Sequence, residues 1–252
     1  MEVRSGRDGT TLGLALLGMA LAIACAAGSS APTARAAQPD PKLPAGAELT
    51  RDPQTGTVRF LKGPDLSRDL DADPAFKATR AAGDAEGVAR AFLAHFAGLW
   101  RLDDPSAELT KRRIDVDRSG ASHVRLSQVW RGLPVLDAEL IVHLDRDRRV
   151  VLVNGTYFAT PRDLDPTPAL DAAAARAAAA RAAEGEPCAA CATDLVVFVE
   201  RGAAPRLAWR VAPPTGQIKG EEIVIDARKG DVLRRLPAAQ TGTRGKLGGK
   251  GR

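Results

Sequence analysis

The chain has 252 residues, 44% hydrophobic but only 4% aromatic, with 27% charged and a formal net charge of +5. That length holds one or two globular domains with a real core, and the charged fraction with ordinary Gly and Pro content excludes a collagen-like or wholly disordered chain. Three cysteines exclude a disulfide-dense scaffold or a Cys-rich zinc module, and three histidines (His95, His123, His143) starve any multi-histidine metal site.

Residues 12–27 (LGLALLGMALAIACAA) are apolar and uncharged, and Arg4 and Arg7 precede them. The run falls short of the roughly 20 residues of a membrane span and ends in small residues, so residues 1–36 read as a secretory signal peptide. Ala34-Arg35-Ala36 supplies a small-x-small cleavage site, which puts the mature start near Ala37 and the folded part outside the cytoplasm. A second reading, a membrane-anchored lipoprotein lipidated at Cys25, rests on Ala22-Ile23-Ala24-Cys25; a third keeps the segment as an uncleaved anchor.

Residues 37–82 are rich in Pro, Asp and Gly, with one short strand candidate at 57–61 (TVRFL), and read as a loosely held leader arm. Asp84 opens an amphipathic helix in which Val88, Phe92, Phe96 and Leu99 share one face, with His95 on its border. Strands are predicted at 109–116, 122–130, 136–145 and 150–158, punctuated by turn signals at 117–120 (DRSG), 131–134 (RGLP) and 145–148 (DRDR). In the third, Leu136, Ala138, Leu140, Val142 and Leu144 alternate with Asp137, Glu139, Ile141, His143 and Asp145, the pattern of a half-buried antiparallel strand.

After the Pro-broken stretch 161–168, Thr167 caps a helix with Pro168 at its first position. The helix body, 169–183, holds eleven alanines in fifteen residues: high propensity, little area to bury. Strands recur at 195–200, 206–211, 222–226 and 231–235, the last two joined by a hairpin turn at 228–231 (RKGD). The fold class is therefore α+β: two small modules, 83–160 and 165–237, each a helix packed on an antiparallel sheet, with a basic Gly-rich tail at 238–252.

Little catalytic chemistry fits this pattern. The H-E-x-x-H arrangement of zinc hydrolases is absent, and none of the histidines lies within four residues of another. No G-x-S-x-G elbow occurs, and the terminal TGTRGKLGGKGR is not followed by a helix as a phosphate-binding loop is. Asp137 and Glu139 read as solvated charges of a wet sheet face. His143 reads as one polar position of an alternating strand, with contact to a partner as the functional alternative. Cys188-Ala189-Ala190-Cys191 follows a helix and Gly185-Glu186-Pro187, not the strand-then-helix context of thioredoxin-type sites. It reads as a structural disulfide in a loop, suited to an oxidising compartment, or as two free thiols.

Residues 123–155 (HVRLSQVWRGLPVLDAELIVHLDRDRRVVLVNG) resemble the propeptide of thermolysin-type secreted metalloproteases, the fungalysin/thermolysin propeptide region. The carriers are Val124-Arg125, Gln128, Gly132, Pro134-Val135, Ala138-Glu139, His143, Asp145 and Asn154-Gly155, with Phe92-Leu93 and Gly98-Leu99 upstream. Residues 167–236 resemble the PepSY module that follows in the same propeptides, through 207–211 (LAWRV) and 225–233 (IDARKGDVL). The resemblance implies a precursor segment that helps a thermolysin-like metalloprotease catalytic domain fold and keeps it inactive, in cis or in trans. In those precursors a zinc protease domain follows the PepSY module, whereas this chain stops at Arg252, so no catalytic residue, metal ligand or cofactor is carried over and no enzyme activity is expected. A truncated protease precursor and a cell-envelope interaction lipoprotein are the alternatives. The expected contact surface is Glu139 and His143 with the basic tail.

The positive charge is local. Residues 228–252 hold eight Lys/Arg against one Asp, a net of +7, and residues 1–36 hold three Arg against Glu2 and Asp8, a net of +1, which leaves the body 37–227 at −3. Without a basic-aromatic surface, no nucleic-acid partner is expected, nor a membrane span in the mature chain.

Overall fold

Alternating apolar residues between Ser122 and Leu144 build the centre of the molecule. The computed structural model describes residues 41–200, 202–214 and 221–237, which all fall in one compact unit. The readings of a signal peptide, of a lipid anchor at Cys25 and of a basic tail concern residues outside that set.

Six strands form an antiparallel sheet: β1 (Glu48–Arg51), β2 (Val58–Lys62), β3 (Leu109–Val116), β4 (Ser122–Trp130), β5 (Leu133–Leu144) and β6 (Val150–Thr156), in the order β1–β2–β6–β5–β4–β3. Helix α1 (Pro74–Ala81) starts with the Asp73 carboxylate accepting from the Ala75 N–H, and α2 (Ala85–His95) with Asp84 accepting from Gly87. A 3-10 turn, Ala97–Trp100, follows, and then the single turn α3 (Pro105–Glu108). Val88, Phe92, Phe96, Leu99 and Trp100 pack in one core with Val124, Leu126, Leu140, Val142, Leu144 and Val153. Each such side chain, once buried, contributes about 1.5–3 kcal/mol of transfer free energy.

The expectation of a loose leader arm fails for residues 41–82. Leu61 sits opposite Val153, extending the sheet through β2, and Val58, Leu66, Leu70 and Phe76 join the core. These apolar residues are spaced singly among Pro, Asp and Gly, so composition hides them.

The turn between β4 and β5 is tighter than the sequence suggested. Arg131 (φ 48°) and Gly132 (φ 80°) are both left-handed, the two-residue hairpin geometry whose twist matches the flanking strands. Trp130 therefore faces Leu133 directly, but farther along Ser127 faces Glu139, because residues 135–138 bulge opposite Gln128. Asp137 sits in the bulge at φ 60°. The predicted alternation holds from Ala138 onward and breaks at Leu136, which packs beside Val196, Phe198, Ala208 and Val224.

The second unit has α4 (Ala172–Ala182) over β7 (Ala192–Phe198), β8 (Arg206–Ala212), β9 (Glu221–Asp226) and β10 (Val232–Pro237), paired antiparallel in sequence order. Its cap is Asp171, whose carboxylate accepts from Ala174, and not Thr167; the N–H groups of Ala169 and Leu170 are already committed to the Ala227 carbonyl. Ala175, Ala178 and Ala179 pack on Val211, Ile223 and Ile225, and the Trp209 indole N–H donates to the Leu170 carbonyl at 2.8 Å.

The two sheets are not separate. Val135 of β5 pairs in parallel with Val197 of β7, making one ten-stranded sheet, and Trp130, Val135, Ala138, Phe158 and Val197 cluster at the join. Arg234 pairs with Asp137 across the join and lies 5.5 Å from the Phe198 ring centroid.

The chain leaving β6 is held by side chains. Gln128 donates to the Phe158 carbonyl at 2.7 Å and accepts from the Phe158 N–H at 3.1 Å, and the Thr57 hydroxyl donates to the Tyr157 carbonyl. The buried Glu108 carboxylate accepts from the N–H groups of Asp103 and Asp104 and from the hydroxyls of Tyr157 and Thr160. Burial first, and Glu108 second, push the Tyr157 phenol far above its usual range, so it stays a donor.

Glu108→Ala is expected to lower stability by about 3 kcal/mol by orphaning those donors, against about 1 kcal/mol for Tyr157→Phe. Urea unfolding of both variants checks this; equal losses would contradict the hub role of Glu108. Gly155, at φ 147°, has no room for a side chain, since a Cβ would lie 2.0 Å from the Glu139 carbonyl oxygen. Gly155→Ala is expected to cost about 3 kcal/mol or more in the same measurement.

Candidate functional site

In an antiparallel sheet one face packs on the core and the other meets solvent. Here α2 and the 3-10 turn cover one face, and β4 shows the division residue by residue: Val124, Leu126 and Gln128 are buried while His123, Arg125 and Ser127 are half-buried. The open face collects Glu139, Ile141 and His143 from β5, Leu152, Asn154 and Thr156 from β6, and Phe60 from β2. Beside Asn154, a depression of about 470 Å³ is lined by Thr50, Arg59, Phe60, Gly155 and Thr156.

Two polar strings cross this face. In the first, Glu139 Oε2 meets Arg112 at 2.8 Å and its Oε1 meets Arg125 at 2.7 Å; Arg125 reaches Asp115 at 3.4 Å, and Asp115 pairs with Arg113 at 3.0 Å. Charges alternate along the string, so each group has an opposite neighbour, in pairs that are mostly solvated. Glu139 is thus an engaged carboxylate and not the freely solvated charge the sequence suggested. Asp137, its expected companion, lies in the bulge and pairs with Arg234.

In the second string, His123 and His143 face each other across β4 and β5 with 2.7 Å between their Nδ1 atoms. His143 Nε2 lies 2.7 Å from Asn154 Oδ1, and His123 Nε2 lies 3.4 Å from Asp117 Oδ2. With Asn154 Oδ1 accepting, His143 carries its proton on Nε2, so its Nδ1 accepts from His123. His123 Nε2 lies next to Asp117, whose carboxyl is held below the usual range chiefly by the Ser119 hydroxyl. Burial, above all, lowers the pKa of His143, and the charges of His123 and Arg125 lower it further against the opposing Asn154 bond.

Sequence reasoning selected Glu139 and His143, which the structure places on the same face of β5. It missed His123, Arg112 and Arg125. The two-residue turn at Arg131-Gly132 would set His123 opposite Leu140; the three-residue slip at the bulge sets it opposite His143 instead. Cys188 and Cys191 are joined as a disulfide in the loop between α4 and β7, away from this face. Among the described residues no group of three or more His, Cys, Asp or Glu is placed to hold a metal, and no helix is long and apolar enough to cross a membrane.

The lowered pKa of His143 makes stability depend on pH. Between its folded value and the unfolded value near 6.5 the unfolded chain binds more protons, so stability is full above about pH 6.5 and falls as pH drops below it. His143→Gln is expected to flatten the stability profile between pH 5 and 7.5, checked by urea midpoints; an unchanged slope would exclude His143 as its source.

Residues 107–157 match the family model of the Fungalysin/Thermolysin Propeptide Motif. Among solved structures, the Bacillus megaterium YpeB C-terminal domain is similar at 12% identity over 75% of this chain and 80% of that one, with a TM-score of 0.38. No curated protein matches the chain. The matched span opens one residue before Glu108 and closes on Tyr157, the two ends of a 2.7 Å hydrogen bond, and between them it holds β3 to β6 and every residue of both polar strings. The segment similar to the Fungalysin/Thermolysin Propeptide Motif is thus folded as the four strands that carry the open polar face.

Proposed function

We propose that this protein is an extracytoplasmic propeptide-like module that binds the catalytic domain of a thermolysin-like zinc metalloprotease, in cis or in trans, assisting its folding and restraining its activity. The observation that carries the reading is the propeptide motif at 107–157. The open face with Glu139 and His143 is its contact surface, and residues 165–237, an alanine-rich helix on four antiparallel strands, act as the accompanying PepSY-like module. A module that binds the folded enzyme and not its unfolded chain shifts the folding equilibrium by mass action. Its own polar strings are already satisfied internally, so docking orders few side chains.

Refolding a denatured thermolysin-like catalytic domain with and without the full chain tests this. Recovered peptidase activity is expected to rise, and added to the native enzyme the chain is expected to inhibit it. Glu139→Gln is expected to weaken inhibition by about tenfold while the melting temperature holds, a loss of about 1.4 kcal/mol in binding. Asp194→Asn, on the other unit, serves as the control. Unchanged refolding yield and unchanged peptidase rate at a tenfold excess of the chain, taken as about ten to one, would sink the reading.

A further inference from the structure

Strand β3 is an edge: it pairs only with β4 among the described residues. An open edge is normally blunted by charged side chains, proline or bulges, which discourage an incoming strand. Here the sign changes along the strand. Arg112 and Arg113 precede Ile114, Asp115 and, just past the strand's end, Asp117 follow it, and all four side chains are well exposed, at 65%, 60%, 44% and 44%. Between them Ile114 and Val116 are exposed large apolar residues, at 39% and 63%.

We propose that β3 is a self-association edge, pairing antiparallel with β3 of a second copy about a two-fold axis at Ile114. In that register Arg113 of each copy faces Asp115 of the other and Ile114 meets Ile114. A parallel pairing would set Arg against Arg and Asp against Asp. The charge order therefore selects both the partner, another copy of this chain, and its direction. The existing contacts of Asp115, to Arg113 at 3.0 Å and to Arg125 at 3.4 Å, are at the surface, contribute little within one chain and leave Arg113 and Asp115 available across the axis. The two open polar faces then lie on the same side of one continuous sheet. A strand-edge contact of this kind is small, so the association is reversible and weakens with salt. It does not depend on the protease reading.

Sedimentation equilibrium of the full chain is the test. A monomer–dimer equilibrium is expected that shifts to monomer at high salt. Ile114→Lys and Ile114→Glu are each expected to raise the dissociation constant at least about tenfold without changing the melting temperature. An equimolar mixture of the two variants is expected to recover dimer, since Lys then faces Glu; association through any other surface is common to all samples and cancels. If either variant alters melting, oxidised Ile114→Cys, expected to form a disulfide-linked dimer, takes its place. A wild type that stays monomeric at high concentration, single variants that dimerise like wild type, or a mixture that gains no dimer overturns the proposal.

Discussion

The Glu108 carboxylate is the interaction on which the rest of the molecule turns. Burying an ionised carboxylate costs several kcal/mol unless its lone pairs are filled. Four donors from two segments of the chain fill them: the N–H groups of Asp103 and Asp104, the Tyr157 phenol and the Thr160 hydroxyl. The consequence is geometric. The segment leaving β6 is fixed at Tyr157 and Thr160 by Glu108 and at Phe158 by Gln128, so Phe158 is delivered into the cluster with Trp130, Val135 and Val197. That cluster, with the Val135–Val197 bridge, makes one sheet from two units.

Gln128 serves two ends at once. It sits opposite the bulge at 135–138, where the ladder between β4 and β5 is interrupted, and its amide replaces the missing strand partner with two bonds to Phe158. The bulge also frees Val135 for β7 and turns Asp137 towards Arg234. One irregularity therefore joins the second unit, anchors the exit from β6, and slips the register that brings His123 to His143.

This is also why part of the structure was legible in the sequence and part was not. The bounds of β3 and β4 and the Asp84 cap follow from local signals: period-2 alternation and a carboxylate ahead of an apolar stripe. The strand at 57–61 was legible and is β2, but β1 and α1 did not stand out, because Leu66, Leu70 and Phe76 are isolated apolar residues that find their partners only in the folded core. Thr167-Pro168 looked like a helix start by the same local logic, but the bonds of Ala169 and Leu170 to Ala227 delay the helix to Asp171. Of the open face, Glu139 and His143 were visible as polar positions on an alternating strand. Their partners were not, since cross-strand neighbours depend on register, and register depends on a left-handed Asp137 that no alternation pattern reveals.

The same face constrains what can bind it. Its charges already alternate, Arg112–Glu139–Arg125–Asp115–Arg113, so it offers no strong field of one sign and steers partners weakly. A partner gains from it only by matching the spacing of the string, replacing exposed, weak internal pairs with drier ones. The neighbouring histidine pair adds a condition. Protonating His143 would place charge half-buried beside Arg125, where burial above all and that guanidinium both oppose it. A partner docking on this face as proposed is therefore selected by shape and register before net charge, and Glu108 and Gln128, which hold the register, govern the face without lying on it.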